Sequence, residues 1–333
     1  MVLDLLLIVW YNGEELRRSF VMDNEPVLYY FVGLPGSGKS FQAKELEAKL
    51  LSQGKVVTYL SSDALRGELY GDENCQDNPA FIFEEMKKRT IQALKEGVTV
   101  IFDATNMNRK KRMSFLKNLP SNVPCKKVCV VVWARLDTCI QRDAQRDRTV
   151  GEKVIMKMVK QFQTPWYDEG WDEIQVQKEQ GSYNIESFDM KMPHDNPHHP
   201  NTIWQHSLKV VDEVENKQRE GELNVKEGCL LTKLAIYHDV GKPLTKSFVN
   251  SRGEVTEVAH YYDHQNVSAY LVLGMEPYSL DETPQPGKKT LLLSYLVNMH
   301  MEPFFNESNY FKNMDPDLKR LVLLFNECDK RGS

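Results

Sequence analysis

A chain of 333 residues and 38.6 kDa exceeds the roughly 100–200 residues of an ordinary domain, so two domains are expected. Its 41% hydrophobic, 27% charged and 10% aromatic content excludes a disordered, collagen-like or low-complexity polymer. Forty-two Lys and Arg against 47 Asp and Glu give a net charge of −5, which excludes a global basic field for duplex or membrane and leaves only local nucleic-acid contacts.

Residues 1–20 read as an N-terminal extension. Its apolar run Leu5-Leu6-Leu7-Ile8-Val9-Trp10 lacks a basic flank, is bracketed by Asp4 and by Glu14 with Glu15, and is too short to span a bilayer. A buried strand, a cytoplasmic location and no membrane partner are therefore expected. Cys75, Cys125, Cys129, Cys139, Cys229 and Cys328 show neither paired zinc spacing nor the density of a secreted framework, so reduced, packed thiols are expected.

Over residues 21–185, short β-branched runs alternate with longer polar-periodic stretches, which predicts an α/β domain on a parallel sheet flanked by helices. Strands are expected at Val27–Val32, Lys55–Leu60, Val98–Phe102 and Val128–Trp133, with helices at Ser40–Gln53, Ala80–Glu96, Arg109–Asn118 and Asp137–Arg146. Three prolines in Met192–Pro200 forbid a continuous helix there, so residues 186–200 read as a linker. Residues 201–333 then show apolar residues at helical spacing in Trp204–Val214, Cys229–His238, Val267–Leu273, Leu291–His300 and Leu318–Asn326, which predicts an all-α second domain. Asp281–Lys289 reads as a surface loop.

Gly33-Leu34-Pro35-Gly36-Ser37-Gly38-Lys39-Ser40 fits G-x-x-x-x-G-K-[ST], and it lies between an expected strand and an expected helix, as that motif requires. Backbone N–H groups freed by Gly33, Gly36 and Gly38, with Ser37, would cradle the phosphates of ATP. Lys39 would meet the β and γ phosphates, and the Ser40 hydroxyl would reach Mg²⁺. Asp63 and Arg66 follow the second expected strand, three apart at a helix start and so on one face. They suit a general base and a phosphate grip, and equally an N-cap aspartate with a solvated arginine. Asp103 ends the third strand, placed to orient a Mg²⁺ water or an arginine, or to serve as a turn residue. Arg135, Arg142, Arg146 and Arg148 could close over a nucleotide; a solvated helix salted with Asp143 and Asp147 is the alternative.

These residues, with Phe102–Asn108, Arg109–Arg112, Val150–Val159 and Pro165–Ile174, resemble the 5′-polynucleotide kinase family of P-loop phosphotransferases over nearly the whole first domain. The resemblance implies that Asp63 activates a 5′-hydroxyl and that Arg66 contacts an acceptor phosphate. It also places Arg142 and Arg146 in a lid over ATP and Asp103 in the active site.

The second half carries His206, His238-Asp239, His264, His300 and Asp329. Imidazoles and carboxylates in such a set suit a divalent transition metal that activates water. Lys242 shares the His238 face only if the helix continues, and Gly241 and Pro243 argue that it ends there. Asn196–Pro200 with Trp204-Gln205-His206, Ala235–Pro243, His264–Ala269 and Glu327–Gly332 resemble the HD phosphohydrolase superfamily, closely the module attached to bacterial tRNA nucleotidyltransferases. That resemblance implies His206, His238, Asp239 and Asp329 as ligands of a first metal and Lys242 as a phosphate contact. It matches His264, rather than His260, and His300 to members that hold a second metal. The ion expected is Mn²⁺, Ni²⁺, Co²⁺ or Fe²⁺.

Together the two resemblances imply a bifunctional end-healing enzyme. Its kinase would phosphorylate 5′-OH ends of RNA or DNA, and its HD domain would hydrolyse 2′,3′-cyclic, 2′- or 3′-phosphates. Known fusions of this kind pair the same two domains, although here the kinase comes first. No K-x-D-G ligase motif and no G-S…D-x-D element occurs, so joining would need a separate ligase. A small-molecule or nucleoside kinase with a nucleotide-hydrolysing HD domain stays open, as does an ATP-driven switch with a non-catalytic one.

Overall fold

Near-continuous apolar runs are what a parallel sheet covered on both faces requires, and the first half folds that way. The computed structural model describes residues 25–73, 75, 77–178, 181–196, 200–275, 286–304 and 309–333. The expected strand Leu5–Trp10 and the extension 1–20 lie outside them, as do Pro197, His198, His199 and residues 281–285 of the expected surface loop. The described chain divides into two units, one ending at Ser182 and the other starting at Tyr183.

In the first unit β1 (Val27–Val32), β2 (Val57–Ser61), β3 (Thr99–Asp103), β4 (Lys126–Trp133) and β5 (Glu173–Lys178) form a parallel sheet in the order β2-β3-β1-β4-β5. Its helices are α1 (Lys39–Ser52), α2 (Ser62–Tyr70), α3 (Pro79–Lys95), α4 (Arg109–Lys117), α5 (Leu136–Ala144) and α6 (Glu152–Val159). The strand β5 was not expected. It alternates Ile174 and Val176 with polar Glu173, Gln175 and Gln177 at the sheet edge, so it lacks the continuous apolar run of the inner strands.

Phe31, Ile101, Val128, Val130 and Val132 pack with Ala43 and Leu50 of α1 in one buried cluster. Tyr30 stacks on Phe102 at 4.7 Å and meets Phe115 at 4.9 Å and Trp171 at 5.3 Å between ring centroids. Each large side chain buried this way contributes roughly 1.5–3 kcal/mol. Arg112, fully buried, spends every donor of its guanidinium. It bonds Glu169 at 2.6 and 2.8 Å, the carbonyls of Asn106 and Met107 at 3.1 and 3.0 Å, and that of Gln163 at 2.8 Å. The loop leaving β3 is thereby tied to the segment ahead of β5. Arg109 pairs with Asp168 at 2.6 Å, so both arginines of this motif are structural.

The second unit is predominantly helical: α7 (Ile203–Arg219), α8 (Val225–Tyr237), α9 (Lys242–Thr245), α10 (His264–Leu273), α11 (Pro286–Met299), α12 (Asn309–Lys312) and α13 (Pro316–Arg331). Thr202 with Gln205 and Asn224 with Glu227 form capping boxes, each fixing a helix start at about 1 kcal/mol. Two features differ from expectation. An antiparallel hairpin, β6 (Ser247–Val249) with β7 (Val255–His260), interrupts the helices, because Val255, Val258 and Thr256 favour a strand where no helical period exists. The described part of the expected linker also packs into this unit: Met190 and His194 are buried, Pro193 bridges Thr202, and Ala259 N–H donates to the Asp195 carbonyl at 2.9 Å. Prolines exclude a helix there but not an ordered extended segment.

Candidate functional sites

The chain between β1 and α1 turns through Gly36 and Gly38 at φ +77° and +88°. A Cβ on Gly36 would also collide with the backbone carbonyl of Cys139, so glycine is required twice over. Ser37 is buried, and its hydroxyl has no partner among the described residues. Lys39 bends back so that its Nζ donates to the Leu34 carbonyl at 3.2 Å. Burial holds its pKa below the ordinary lysine value, with Asp103 opposing and Arg146 reinforcing.

The carboxyl edge of the sheet gathers the other expected residues of this half, as open α/β sheets do. Ser61 and Asp103 are register partners at the ends of β2 and β3. Tyr59, which the sequence did not single out, donates to Asp103 Oδ2 at 2.8 Å and also hydrogen-bonds Ser40. Its phenol is pushed upward by burial and by the Asp103 charge. Asp63 Oδ1 lies 3.0 Å from Arg66 and 3.0 Å from Arg148. The Asp63 side chain is 53% exposed, so these pairs are weak enough for an incoming group to displace. Arg66 is buried, donates to the Ser62 carbonyl at 3.0 Å, and has an Nε without a partner among the described residues. Arg142 reaches the Gly36 carbonyl at 3.5 Å, and Arg146 is exposed. Asp143 is not the solvated residue considered above. It is buried and accepts from the N–H groups of Val150 at 3.0 Å and Gly151 at 2.8 Å.

In the helical unit, the helix carrying His238 does end as Gly241 and Pro243 suggested. After α8 the chain turns, and the Gly241 N–H donates to Ser268 Oγ at 2.8 Å. A Cβ on Gly241 would stand 2.6 Å from the Ser268 nitrogen, so only glycine lets this turn lie against α10. Asp239, just ahead of this turn, faces His264 rather than solvent.

His206, His238, Asp239, His264, His300 and Asp329 are all buried and come together in two groups, His206/His238/Asp329 and Asp239/His264/His300. Each imidazole turns its Nδ1 to a backbone carbonyl: His206 to Gly332 at 3.3 Å, His238 to Ala235 at 2.9 Å, His264 to Tyr261 at 2.8 Å and His300 to Val297 at 2.7 Å. A carbonyl accepts, so Nδ1 carries the hydrogen and Nε2 is left facing inward. The Nε2 atoms of His206 and His238 are 3.2 Å apart, and those of His264 and His300 are 3.3 Å apart. Facing lone pairs at that distance repel unless a cation or a proton stands between them. Ligands about 2.1 Å from one ion lie about 3 Å from each other, so this donor set fits a divalent metal.

Asp239 is grouped with His264 and His300 and also faces the first group. Its Oδ2 is 3.2 Å from His238 and 3.7 Å from His206, whereas Oδ1 is 3.3 Å from His264. Asp329 Oδ1 closes the first group at 2.9 Å from His206 and 3.5 Å from His238. Burial would lower the His238 pKa, but Asp239 and Asp329 outweigh it and raise it to about 10. Burial would likewise raise Asp239, yet His238 and Lys242 hold it well below the carboxylate range. His300 goes the other way, lowered to about 3 by burial and by its neighbours His238 and His264. Lys242 Nζ sits 2.7 Å from Asp239 Oδ2 and 3.1 Å from Nε2 of His194. His194, in the expected linker, was missed. Its contact crosses 48 residues of sequence, and no local pattern announces it.

A family described as an AAA domain matches residues 28–165. L-seryl-tRNA(Sec) kinase of Methanococcus maripaludis is 27% identical over 152 residues, covering 44% of this chain and 56% of that protein. Adenylyl-sulfate kinase of Prochlorococcus marinus is 29% identical over 144 residues, covering 41% and 69%. The solved APS kinase of Mycobacterium tuberculosis is 21% identical, with a TM-score of 0.35, covering 46% of this chain and 88% of that one. The chain thus spans little more than half the length of the first of these relatives. It joins a P-loop kinase domain to a helical domain with two His/Asp metal-binding clusters that resemble HD-fold sites. No helix among the described residues is long and apolar enough to cross a membrane.

Proposed function

We propose that this chain heals nucleic-acid ends, adding phosphate to 5′-hydroxyls in one unit and removing 2′,3′-cyclic, 2′- or 3′-phosphates in the other. The observation that carries the reading is the presence on one chain of a P-loop edge with Asp63 and Arg66 and a His/Asp cluster with Lys242, residue sets suited to opposite phosphoryl chemistries.

In the kinase unit Asp63 takes the proton of the acceptor hydroxyl as its oxygen bonds the γ-phosphorus of ATP and the bond to the β-phosphate oxygen breaks, releasing ADP. Arg66 holds the acceptor phosphate. Lys39, Arg142 and Arg146 neutralise the charge on the transferring group, while Gly33, Gly36, Ser37 and Gly38 line the phosphate turn. Ser40 and Asp103, joined through Tyr59, flank the place for Mg²⁺. In the helical unit His206, His238 and Asp329 would hold one divalent transition metal and His264 with His300 a second, Asp239 facing both. Such ions polarise a phosphoryl oxygen and make water nucleophilic at neutral pH. Lys242 offers its ammonium to the substrate phosphate.

The test is transfer of γ-labelled phosphate from ATP to a 5′-OH RNA or DNA oligonucleotide with a free nucleoside in competition, followed by release of phosphate from 3′-phosphate and cyclic ends with Mn²⁺, Ni²⁺, Co²⁺ or Fe²⁺. Label on the oligonucleotide and loss of the 3′-phosphate are the expected results. Label on the nucleoside alone sinks the end-healing reading. The similarity to adenylyl-sulfate kinase favours one second reading, a small-molecule hydroxyl as acceptor, which that outcome would support.

A further inference from the structure

His194 lies outside both metal clusters, yet it is among the most buried polar residues of the chain, 1% exposed. Its Nδ1 is 2.8 Å from the Asn201 carbonyl, which can only accept, so Nδ1 carries the hydrogen. Nε2 is then a lone pair, and the group 3.1 Å from it is the Lys242 ammonium, which can only donate. The direction of the bond follows: Lys242 donates to His194.

The lysine is held from three sides. Besides His194, Asp239 Oδ2 takes it at 2.7 Å, and the Tyr261 ring lies beneath Nζ, 5.5 Å to the centroid. Tyr261 also donates its hydroxyl to the His194 carbonyl at 2.5 Å, so ring and imidazole are fixed to each other. The strand pairing of Pro193 with Thr202 and the ion pair of Lys246 with Asp195 at 2.6 Å anchor the chain on both sides of His194. An ammonium has three N–H bonds. One is given to His194 and the charge is paired with Asp239, which together fix where Nζ sits.

We propose that His194 is a positioning residue for Lys242, holding its ammonium where it can donate to a phosphate oxygen of the substrate in the metal centre. The inference rests on the reading of Lys242 as the phosphate contact. A flexible lysine with only Asp239 as partner would turn wholly to that carboxylate and compete with a metal for it. A second, neutral acceptor shares the ammonium with that carboxylate at no cost in charge.

Two variants separate the two nitrogens. His194→Gln keeps an acceptor near the Nε2 position, and His194→Asn keeps only a donor near Nδ1. In the full-length, metal-loaded protein, His194→Asn is expected to weaken inorganic phosphate binding, measured by calorimetry, by about tenfold, as expected for loss of a charge-assisted hydrogen bond. Lys242→Met should do the same, His194→Gln should recover most of the loss, and the double variant His194→Asn/Lys242→Met should lose no more than Lys242→Met alone. Metal content by elemental analysis should match the unsubstituted protein in every variant. Losses that multiply in the double variant, or metal lost with His194→Asn, would overturn the proposal, as would an Nε2-protonated His194 in ¹⁵N–¹H spectra of the unsubstituted protein. That spectrum needs no substrate and no variant that folds. If His194 shows the Nδ1–H form, its Nε2 signal moves in Lys242→Met, and the protein binds no phosphate, the positioning contact stands and the phosphohydrolase reading fails.

Discussion

The two units assemble their candidate sites, a phosphate-binding turn in one and a His/Asp metal-binding centre in the other, by opposite constructions. In the sheet unit the phosphate turn is backbone, contributed by eight consecutive residues, Gly33–Ser40, and its donors are peptide N–H groups that any glycine-rich turn of that shape would present. In the helical unit the candidate metal centre is made of side chains, and its six residues spread from His206 to Asp329. A backbone site tolerates little change of shape, and its chemistry leans on the one charge that Lys39 brings to it. A side-chain cluster depends on each member, and Asp239 above all, because its two oxygens face different groups.

That contrast yields the largest expected effects. Lys39→Ala should abolish phosphorylation, by about a thousandfold or more given the charge it neutralises in transfer, and leave hydrolysis unchanged. Asp239→Ala should abolish hydrolysis, leave phosphorylation unchanged, and reduce bound metal in both groups, read by elemental analysis of the purified chain. Loss of both activities from either substitution would break the comparison, since it would mean that the two constructions are not independent.

The fold of the helical unit is expected to answer to metal, whereas that of the sheet unit is not. Six buried ligands with paired imidazole nitrogens 3.2 and 3.3 Å apart gain a compensating cation when metal binds. At a hundred times the dissociation constant this adds about 2.7 kcal/mol to the folded state. Calorimetry of the full chain should show one of two transitions moving down with a chelator and back with Mn²⁺. The sheet unit has its own internal ion pair instead. Arg112→Met leaves Glu169 charged with no exposed surface, which is expected to cost about 3–5 kcal/mol in that unit, read by denaturant unfolding. The double substitution Arg112→Met/Glu169→Leu should restore part of it, because then no buried charge is left unpaired.

How much of this was legible in sequence follows the same division. The P-loop was readable because its residues are contiguous and the strand and helix that flank it are strongly patterned; β1 was expected at Val27–Val32 and forms there. The edge strand β5 was not, since one face of it is polar. In the helical unit, the residue types announced a metal centre, but their grouping did not. Which oxygen of Asp239 faces which histidine depends on the turn at Gly241 and on how α10 lies against it, both set by contacts distant in sequence. His194 was hidden for another reason. Prolines around it forbid a helix, which points to a linker, although proline restrains an extended segment as readily as it breaks a helix. Tyr59 was hidden inside a strand whose pattern explained it without any role at the sheet edge.

The smallest effect sharpens the comparison most, because it concerns a side chain supporting a backbone site. Asp143 is buried at the end of α5, one residue after Arg142, and receives the N–H groups of Val150 and Gly151. Its two oxygens close the turn that carries Arg146 and Arg148, and Arg148 reaches Asp63 at 3.0 Å. Asp143→Asn keeps the volume but gives up one charge-assisted acceptor, for a loss of about 1–2 kcal/mol that falls on this turn. If the arginines act as a unit over the nucleotide, the substitution should lower the phosphorylation rate several-fold alongside that loss of stability. A drop in stability with an unchanged rate would show instead that Asp143 serves the fold of α5 alone, and that the phosphate turn works without its lid being held.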